Sequence, residues 1–308
     1  MKIVTLTLNP AFDIHCNAVN FRPYHESIVE ITSRDAGGKG VNISRALCSV
    51  GCENTAIVVV GDENGEEFCK MLENDGLTTD PISLKGRIRE NITLHESENP
   101  ETRISFGGFE ADGAIIDAIC EKIGDVCENT VITFTGSLPK GIKVADILGA
   151  LEDLKARGAK IVIDSRSVSL DDLKHFKPWL VKPNKDEIEG YTGRKVSCAE
   201  DALAVAEELY SLGIENVMIS LGEDGAVLVN CDGRFLAKAP SVDALSTIGA
   251  GDSAVAGFIY GFKMGCSSSR RLAMSVAFGT ASCMKEGTKP PDRCDIKMME
   301  EKIVVTSI

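Results

Sequence analysis

No uninterrupted apolar run approaches the roughly 18 residues a membrane-spanning helix needs, although hydrophobic residues make up 44% of the 308 positions. No basic, signal-like stretch precedes the first apolar run, Ile3-Val-Thr-Leu-Thr-Leu8. Both absences lead us to expect a soluble, cytoplasmic protein. Histidine is scarce: four residues, widely spaced, supply neither a zinc set nor a nucleophile–His–acid relay. The eleven cysteines contain no C-x-x-C pair, and an odd number scattered through apolar segments such as those around Cys69, Cys120 and Cys283 argues for a reducing compartment rather than a disulfide framework. Basic clusters are missing too. With a net charge of −13 and nothing denser than Arg270-Arg271, the chain lacks the face a nucleic acid would need.

What is present is an alternation of short β-rich runs with helical patterns. Residues 3–8, 55–60, 130–134, 160–164, 179–181 and 217–221 read as strands, and residues 41–50, 66–75, 114–123, 144–157, 199–212 and 269–284 carry helical periodicity. This order predicts an α/β fold, a mainly parallel sheet with helices on both faces, whose ligands lie at the carboxyl ends of the strands. Two segments break the rhythm, approximately 16–34 and 90–107. They are polar and alternate residue by residue, which predicts a small separate sheet. Such a sheet would serve as a lid over the strand ends or as an oligomer contact. No repeat or linker divides the chain, so residues 1–308 are expected to form one principal domain with this lid.

An acidic protein that holds an anion must use backbone amides and a few placed cations, which makes glycine turns beside charged residues informative. Thr247-Ile248-Gly249-Ala250-Gly251-Asp252 precedes an apolar-periodic run, 253–262. Gly249, Ala250 and Gly251 would then present amides at a helix N-terminus, an anion site, with Asp252 placed to take a proton from an attacking hydroxyl. A turn capped by Asp is the alternative reading. Asp35-Ala-Gly-Gly38-Lys39-Gly-Val-Asn42 resembles no Walker A loop but places Gly38, Lys39 and Asn42 at another helix start. Asp13 follows the first strand, where a carboxylate can accept from a sugar diol, or where it simply makes a turn. Asn184 and Glu187 spell either a capping box or an arrangement in which Glu187 holds hydrated Mg²⁺. Ser220-Leu221-Gly222-Glu223-Asp224-Gly225 is a hairpin turn or a nucleotide contact. Arg89, Asn91 and Arg103 sit on the second insertion, where a lid closing over an anionic sugar needs cations.

Gly-Gly-Lys-Gly early, Lys-Pro-Asn-x-x-Glu in the middle and Gly-Ala-Gly-Asp late make the chain resemble the ribokinase-like sugar kinases, the PfkB family, over nearly its whole length. Asn9-Pro-Ala-Phe-Asp13, Phe106-Gly-Gly-Phe-Glu110, Asp164-Ser-Arg-Ser167, Trp179-Leu-Val-Lys-Pro-Asn184 and Pro240-Ser-Val-Asp-Ala-Leu-Ser-Thr247 are most similar to the members that phosphorylate sugar phosphates. That resemblance implies transfer of the ATP γ-phosphoryl group to the 6-hydroxyl of fructose 1-phosphate. Tagatose 6-phosphate is the rival acceptor, and a silent sugar-phosphate sensor is the rival from another class. It further implies Asp252 as base, and Gly249, Ala250 and Gly251 as the anion hole. Asn184, Thr247 and residues 220–225 fall to ATP, with Glu187 at Mg²⁺. Asp13, Gly38, Asn42, Asn91 and Arg103 would hold the sugar phosphate, with Lys39 and Arg89 on its existing phosphate, and a homodimer would form through the lid. One position departs from the family pattern: Thr93 stands where a basic residue is common.

Overall fold

The computed structural model describes residues 1–18, 21–22, 24–96 and 101–308. Positions 19, 20, 23 and 97–100, which belong to the two insertions anticipated at 16–34 and 90–107, lie outside the described residues. In chain order the elements are β1 (Lys2–Thr7), β2 (Ala11–Ala18), β3 (Val29–Gly37), α1 (Lys39–Ser49), β4 (Thr55–Gly61), α2 (Gly65–Asn74), β5 (Thr79–Leu84), β6 (Arg89–His95), β7 (Thr102–Ser105) and α3 (Ala114–Ile123). They continue with β8 (Thr130–Thr135), α4 (Val144–Ala156), β9 (Lys160–Asp164), α5 (Leu170–Phe176), β10 (Leu180–Val181), α6 (Lys185–Thr192), α7 (Ala199–Ser211) and β11 (Asn216–Ser220). The last are β12 (Ala226–Asn230), β13 (Gly233–Ala237), α8 (Ala250–Lys263), α9 (Ser268–Cys283), α10 (Arg293–Lys302) and β14 (Val305–Ser307).

Ten strands form the main sheet in the order β14-β13-β12-β11-β10-β9-β8-β1-β4-β5. From β5 to β11 every pairing is parallel, and β12, β13 and β14 finish the sheet antiparallel. The central strands read as continuous apolar runs because both faces are covered: β1, β4, β8 and β9 bury nearly every side chain. One core lies against α2, α3, α4, α5 and α7, the other against α1, α8, α9 and α10. The strand order reverses at β1, with β4 on one side and β8 on the other, which opens a crevice at their carboxyl ends.

The second sheet runs β3-β2-β6-β7, with β2 and β6 parallel. It reaches beyond the segment expected at 16–34, since β2 starts at Ala11 and β3 runs on to Gly37. β2 begins at Ala11 and carries Asp13 as an extended, buried strand residue instead of a turn. Asp35-Ala-Gly37 ends β3 rather than forming a turn. The period-2 signal fails in β2 because six successive residues are buried, inward side chains against the main body and outward ones in a small cluster of Ile14, Cys16 and Leu94. β5, also unanticipated, contains Pro81, and it occupies the sheet edge where a missing N–H costs no ladder bond.

α8 and α9 pack so closely that a methyl group on Gly257 would stand 2.5 Å from the Met274 carbonyl oxygen. Gly257→Val should therefore separate the two helices and destabilise the fold by about 1–3 kcal/mol, read as a lower urea midpoint. An unchanged midpoint would show that the pair can repack.

Candidate active site

Each central strand delivers polar residues to the crevice as it ends. β1 gives Thr7 and Asn9, β8 gives Thr135 and Ser137, β9 gives Asp164 and Arg166, β10 gives Lys182, and β11 gives Ser220. Together with the inward face of the second sheet and the start of α8 they line a cavity of about 1060 Å³. That exceeds the upper end of ordinary single-ligand pockets, near 1,000 Å³, and suits two substrates side by side.

At its centre lies the start of α8. Gly249 is in the left-handed conformation, φ 80°, and no side chain caps the helix. The Ala250 amide makes only a long bond to the Thr247 carbonyl, at 3.4 Å, and the next amides of this first turn face an anion's place, where the helix dipole favours negative charge. The carboxylate in this first turn is not a surface cap. Asp252 is buried, and its Oδ2 accepts from Asn42 Nδ2 at 2.8 Å. Burial pushes its carboxyl up to about 6, with Lys39 opposing and Asp164 adding to the rise. Among buried ionisable groups at strand ends, a proton acceptor poised near neutrality is the kind that acid–base chemistry uses.

The cations here are few and held by acids. Lys39 Nζ lies 3.1 Å from Asp164 Oδ1, and Lys182 Nζ lies 3.4 Å from Asp164 Oδ2, too long for a good hydrogen bond. Burial opposes the charge on Lys39, but Asp164, Asp252 and Glu187 outweigh it and hold the ammonium above its usual range. Asp164, fully enclosed, is likewise penalised by burial, yet Lys182 and Lys39 keep it ionised below the ordinary value. Asp164 and Lys182 lie in motifs of the resemblance, but the sequence reading gave neither a role. The available signal was positional: each is a charge that directly ends an apolar strand pointing at the crevice.

Asn184 and Glu187 do form a capping box at the start of α6, Asn184 Oδ1 accepting from Glu187 N at 2.9 Å and Glu187 Oε2 from Asn184 N at 3.1 Å. Glu187 also accepts from Arg166 Nε at 3.2 Å, and both Asn184 and Glu187 line the cavity. In the 220–225 segment Ser220, Gly222, Glu223 and Gly225 line it as well. Leu221 and Asp224 do not: Leu221 is buried in the core, and Asp224 faces out to Lys185 at 3.0 Å. This segment is a helical turn joining β11 to β12, so the hairpin reading of its sequence also holds. Thr247 and Gly251 line the cavity beside it.

At the other end stands the second sheet. Asp13 Oδ1 accepts from Asn91 Nδ2 at 2.9 Å across the paired strands β2 and β6, and Gly37 has no side chain because one would overlap the Asp13 carboxylate. Burial raises the Asp13 carboxyl, while Asn91, Arg103 and Arg89 pull it down. Arg89 spends Nη1 and Nη2 on the carbonyls of Phe106 and Asn9, each at 3.3 Å, and leaves its buried Nε without a partner. Asn9 Oδ1 and Asn91 Oδ1 are buried and unpartnered too. Arg103 lies directly across from Thr93 in the β6–β7 register and lines the cavity with Gly38, Lys39 and Asn42. Every residue assigned from sequence to the sugar therefore borders the same space.

A family model described as pfkB family carbohydrate kinase matches residues 6–293. A 1-phosphofructokinase of Escherichia coli K12 is 33% identical over 307 residues, covering 98% of this chain and 97% of that protein. A 1-phosphofructokinase of Haloferax volcanii is 31% identical, covering 99% of each. Among solved structures, phosphofructokinase-2 from Escherichia coli in complex with substrates and products superposes with a TM-score of 0.90 at 25% identity, covering 98% of this chain and 99% of that one. The protein belongs to the pfkB family of carbohydrate kinases.

Proposed function

We propose that this sugar kinase transfers the γ-phosphoryl group of ATP to the 6-hydroxyl of fructose 1-phosphate, giving fructose 1,6-bisphosphate and ADP. The observation that carries the reading is the pairing, in one cavity, of a buried Asp252 beside an uncapped helix start with a far wall bearing Arg89 and Arg103 around Asp13. Two guanidiniums around one carboxylate leave a positive charge that a phosphate on the acceptor would balance and a neutral sugar would not. The relatives named 1-phosphofructokinase point to the same acceptor.

In this mechanism the 6-oxygen attacks phosphorus, the bond to the ADP oxygen breaks, and the hydroxyl proton passes to Asp252. Asn42 orients that carboxylate through its amide N–H, so its role is at the base as much as at the sugar. The amides of Gly249, Ala250 and Gly251 stabilise the phosphoryl group in transit, and Lys39 and Lys182 balance charge as it shifts toward ADP. Asp13 and Asn91 hold sugar hydroxyls. Arg103, one strand away from Thr93, supplies the cation that this chain lacks at 93. Among the described residues no group of three or more His, Cys, Asp and Glu is arranged to hold a metal ion. That donor set fits Mg²⁺ taken mainly through water and phosphate oxygens, with Glu187, a carboxylate that lines the cavity, ordering those waters. When bound, Mg²⁺ neutralises phosphate charge. The small sheet closes the acceptor end as a lid and excludes water. Its outer face aligns Ile31, Cys16 and Leu94 in one row and Ile14, Ile92 and Ile104 in the next, with Ile31 62% and Ile104 41% exposed. A second copy of this chain covers that face in the homodimer we infer.

A coupled assay with ATP and Mg²⁺ should show the highest kcat/KM for fructose 1-phosphate over tagatose 6-phosphate, fructose 6-phosphate and ribose, and Arg103→Ala should raise KM for the preferred acceptor about tenfold, the loss of one charge-assisted contact. Preference for another acceptor, or an unaltered KM, would refute the corresponding assignment. Asp252→Asn should lower kcat by about 10²–10⁴, while wild-type kcat falls as pH drops through about 6 because the base becomes protonated. The same substitution should stabilise the fold, but only at higher pH. Below about pH 4 the carboxyl is protonated in folded and unfolded chains alike. Between there and about 6 only the unfolded chain ionises, so wild-type stability falls by on the order of 1–3 kcal/mol. Denaturation at pH 4 and pH 8 checks this, and an equal gain at both would contradict it. For the dimer, Ile31→Glu should give a monomer by sedimentation; an unchanged mass would place the interface elsewhere.

A further inference from the structure

We infer that Arg45 is a positioning residue for the base: it fixes the side-chain amide of Asn42 with Nδ2 toward Asp252, and so holds Asp252 in the form that accepts a proton. The inference rests on reading Asp252 as the base of the kinase reaction. Asn42 and Arg45 are three residues apart on α1 and share a face of the helix. Both are buried, as is Asp252. Asn42 and Asp252 line the cavity, whereas Arg45 does not.

An acid aims the guanidinium. Arg45 Nε lies 2.8 Å and Nη2 2.7 Å from Oδ2 of Asp75, the C-terminal cap of α2. That edge of the planar fork is thereby used, and Nη1 is turned to Asn42 Oδ1 at 3.4 Å, a long contact strengthened by the guanidinium charge. A guanidinium only donates, so the atom of Asn42 that faces it is the oxygen. The amide nitrogen is then left for Asp252 Oδ2, at 2.8 Å. A chain of four side chains, Asp75, Arg45, Asn42 and Asp252, thus runs from the surface, where Asp75 is 42% exposed, to the reacting carboxylate.

The direction of the amide matters because an asparagine can serve either protonation state of its neighbour. With Nδ2 toward Asp252 it donates to the ionised carboxylate. Rotated by half a turn it would offer Oδ1 to the O–H of the protonated acid, the form that burial already favours. Arg45 excludes the rotated amide, which would set two donors against each other. Bracing α1 against α2 does not call for this contact, since the pairing with Asp75 alone would do it. Arg45 bonds with none of the charged groups that face Asp252, which are Lys39 on α1, Asp164 at the end of β9 and Lys182 after β10. Glu187 on α6 acts on Lys39. α9, packed against α8, puts only uncharged side chains on the cavity wall, Cys283 among them with its thiol pushed up by burial.

The test is the pH dependence of kcat, with whichever acceptor the coupled assay prefers, in the full-length protein and in Arg45→Met, Arg45→Lys, Asp75→Asn, Asn42→Ala and the Arg45→Met/Asn42→Ala double variant. Arg45→Met should move the acid limb upward from about 6 by about half to one pH unit, the weight of one hydrogen bond to the ionised form. At pH 6 kcat then falls about two- to fivefold, at pH 8 by less than about twofold, and KM for ATP stays within about twofold. Arg45→Lys, which keeps a charged donor, should restore part of the shift. Asp75→Asn, which keeps the guanidinium and loosens its aim, should move the limb the same way by less. In the Asn42→Ala background Arg45→Met should move it by less than about 0.2 unit, because its route to the base is gone. A limb unmoved in Arg45→Met, with kcat lowered equally at every pH, would reduce Arg45 to a brace between helices. A limb that moves as far without Asn42 as with it would show the guanidinium acting by its own charge. Either result overturns the inference. Asp252→Asn keeps the two readings apart: retained turnover there removes the base and this inference with it, whereas an inactive Asp252→Asn beside an unmoved limb removes the inference alone.

Discussion

Two buried carboxylates, Asp164 and Asp252, share the influence of one ammonium, Lys39, and the cavity depends on that arrangement. Asp164 has a second partner in Lys182 and stays charged. Asp252 accepts from the neutral amide of Asn42 and is left half-protonated near pH 6. The different environments of two otherwise identical groups divide the labour: one anchors cations at the strand ends, the other is free to take a proton. Removing Lys39 would therefore disturb both, which is why the lysine sits at the first turn of α1, packed into the sheet, instead of on a mobile loop.

An acidic protein that binds anions must confine positive charge to where it is used. The chain does so by committing its cavity cations in advance. Lys39 and Lys182 are paired with Asp164, and Arg89 is tied by Phe106 and Asn9 carbonyls. Each is immobilised before any phosphate arrives, so little side-chain entropy remains to be lost on binding. The unpartnered Arg89 Nε and the amide oxygens of Asn9 and Asn91 show the complementary feature, polar atoms kept dry and unspent beside the acceptor end.

The main sheet was legible because its central strands are long apolar runs with charges at their ends, and the Thr247–Asp252 loop because glycine, glycine and acid sit at the mouth of an apolar helix. The second sheet was only partly so. Strand β2 shows no alternation, since both of its faces are covered, and Asn9-Pro10 ahead of it imitates a turn. Asp13 was consequently found as a site residue but placed on the wrong kind of element. Asp164 and Lys182, quoted within motifs of the resemblance, were given no role for a different reason: a single charge after a strand looks like solvent-exposed punctuation until the topology shows that five such strands end around one crevice. Leu221 and Asp224 were swept in with their glycine-rich neighbours, although one side chain in a tight turn must face the core and another the solvent.

The order of these pieces along the chain has a further consequence. Asp13, Arg89, Asn91 and Arg103 come from the first 103 residues, whereas the helix start at Asp252 and the turn after β11 come from beyond residue 219. These two groups are thus encoded in separate stretches of the gene, with the strand ends between them contributing Thr135, Asp164 and Lys182. Drift at Asp13, Asn91 and Arg103 can retune which sugar is recognised without touching the helix start at Asp252, provided it spares Lys39 and Asn42, which serve Asp164 and Asp252 from the same stretch.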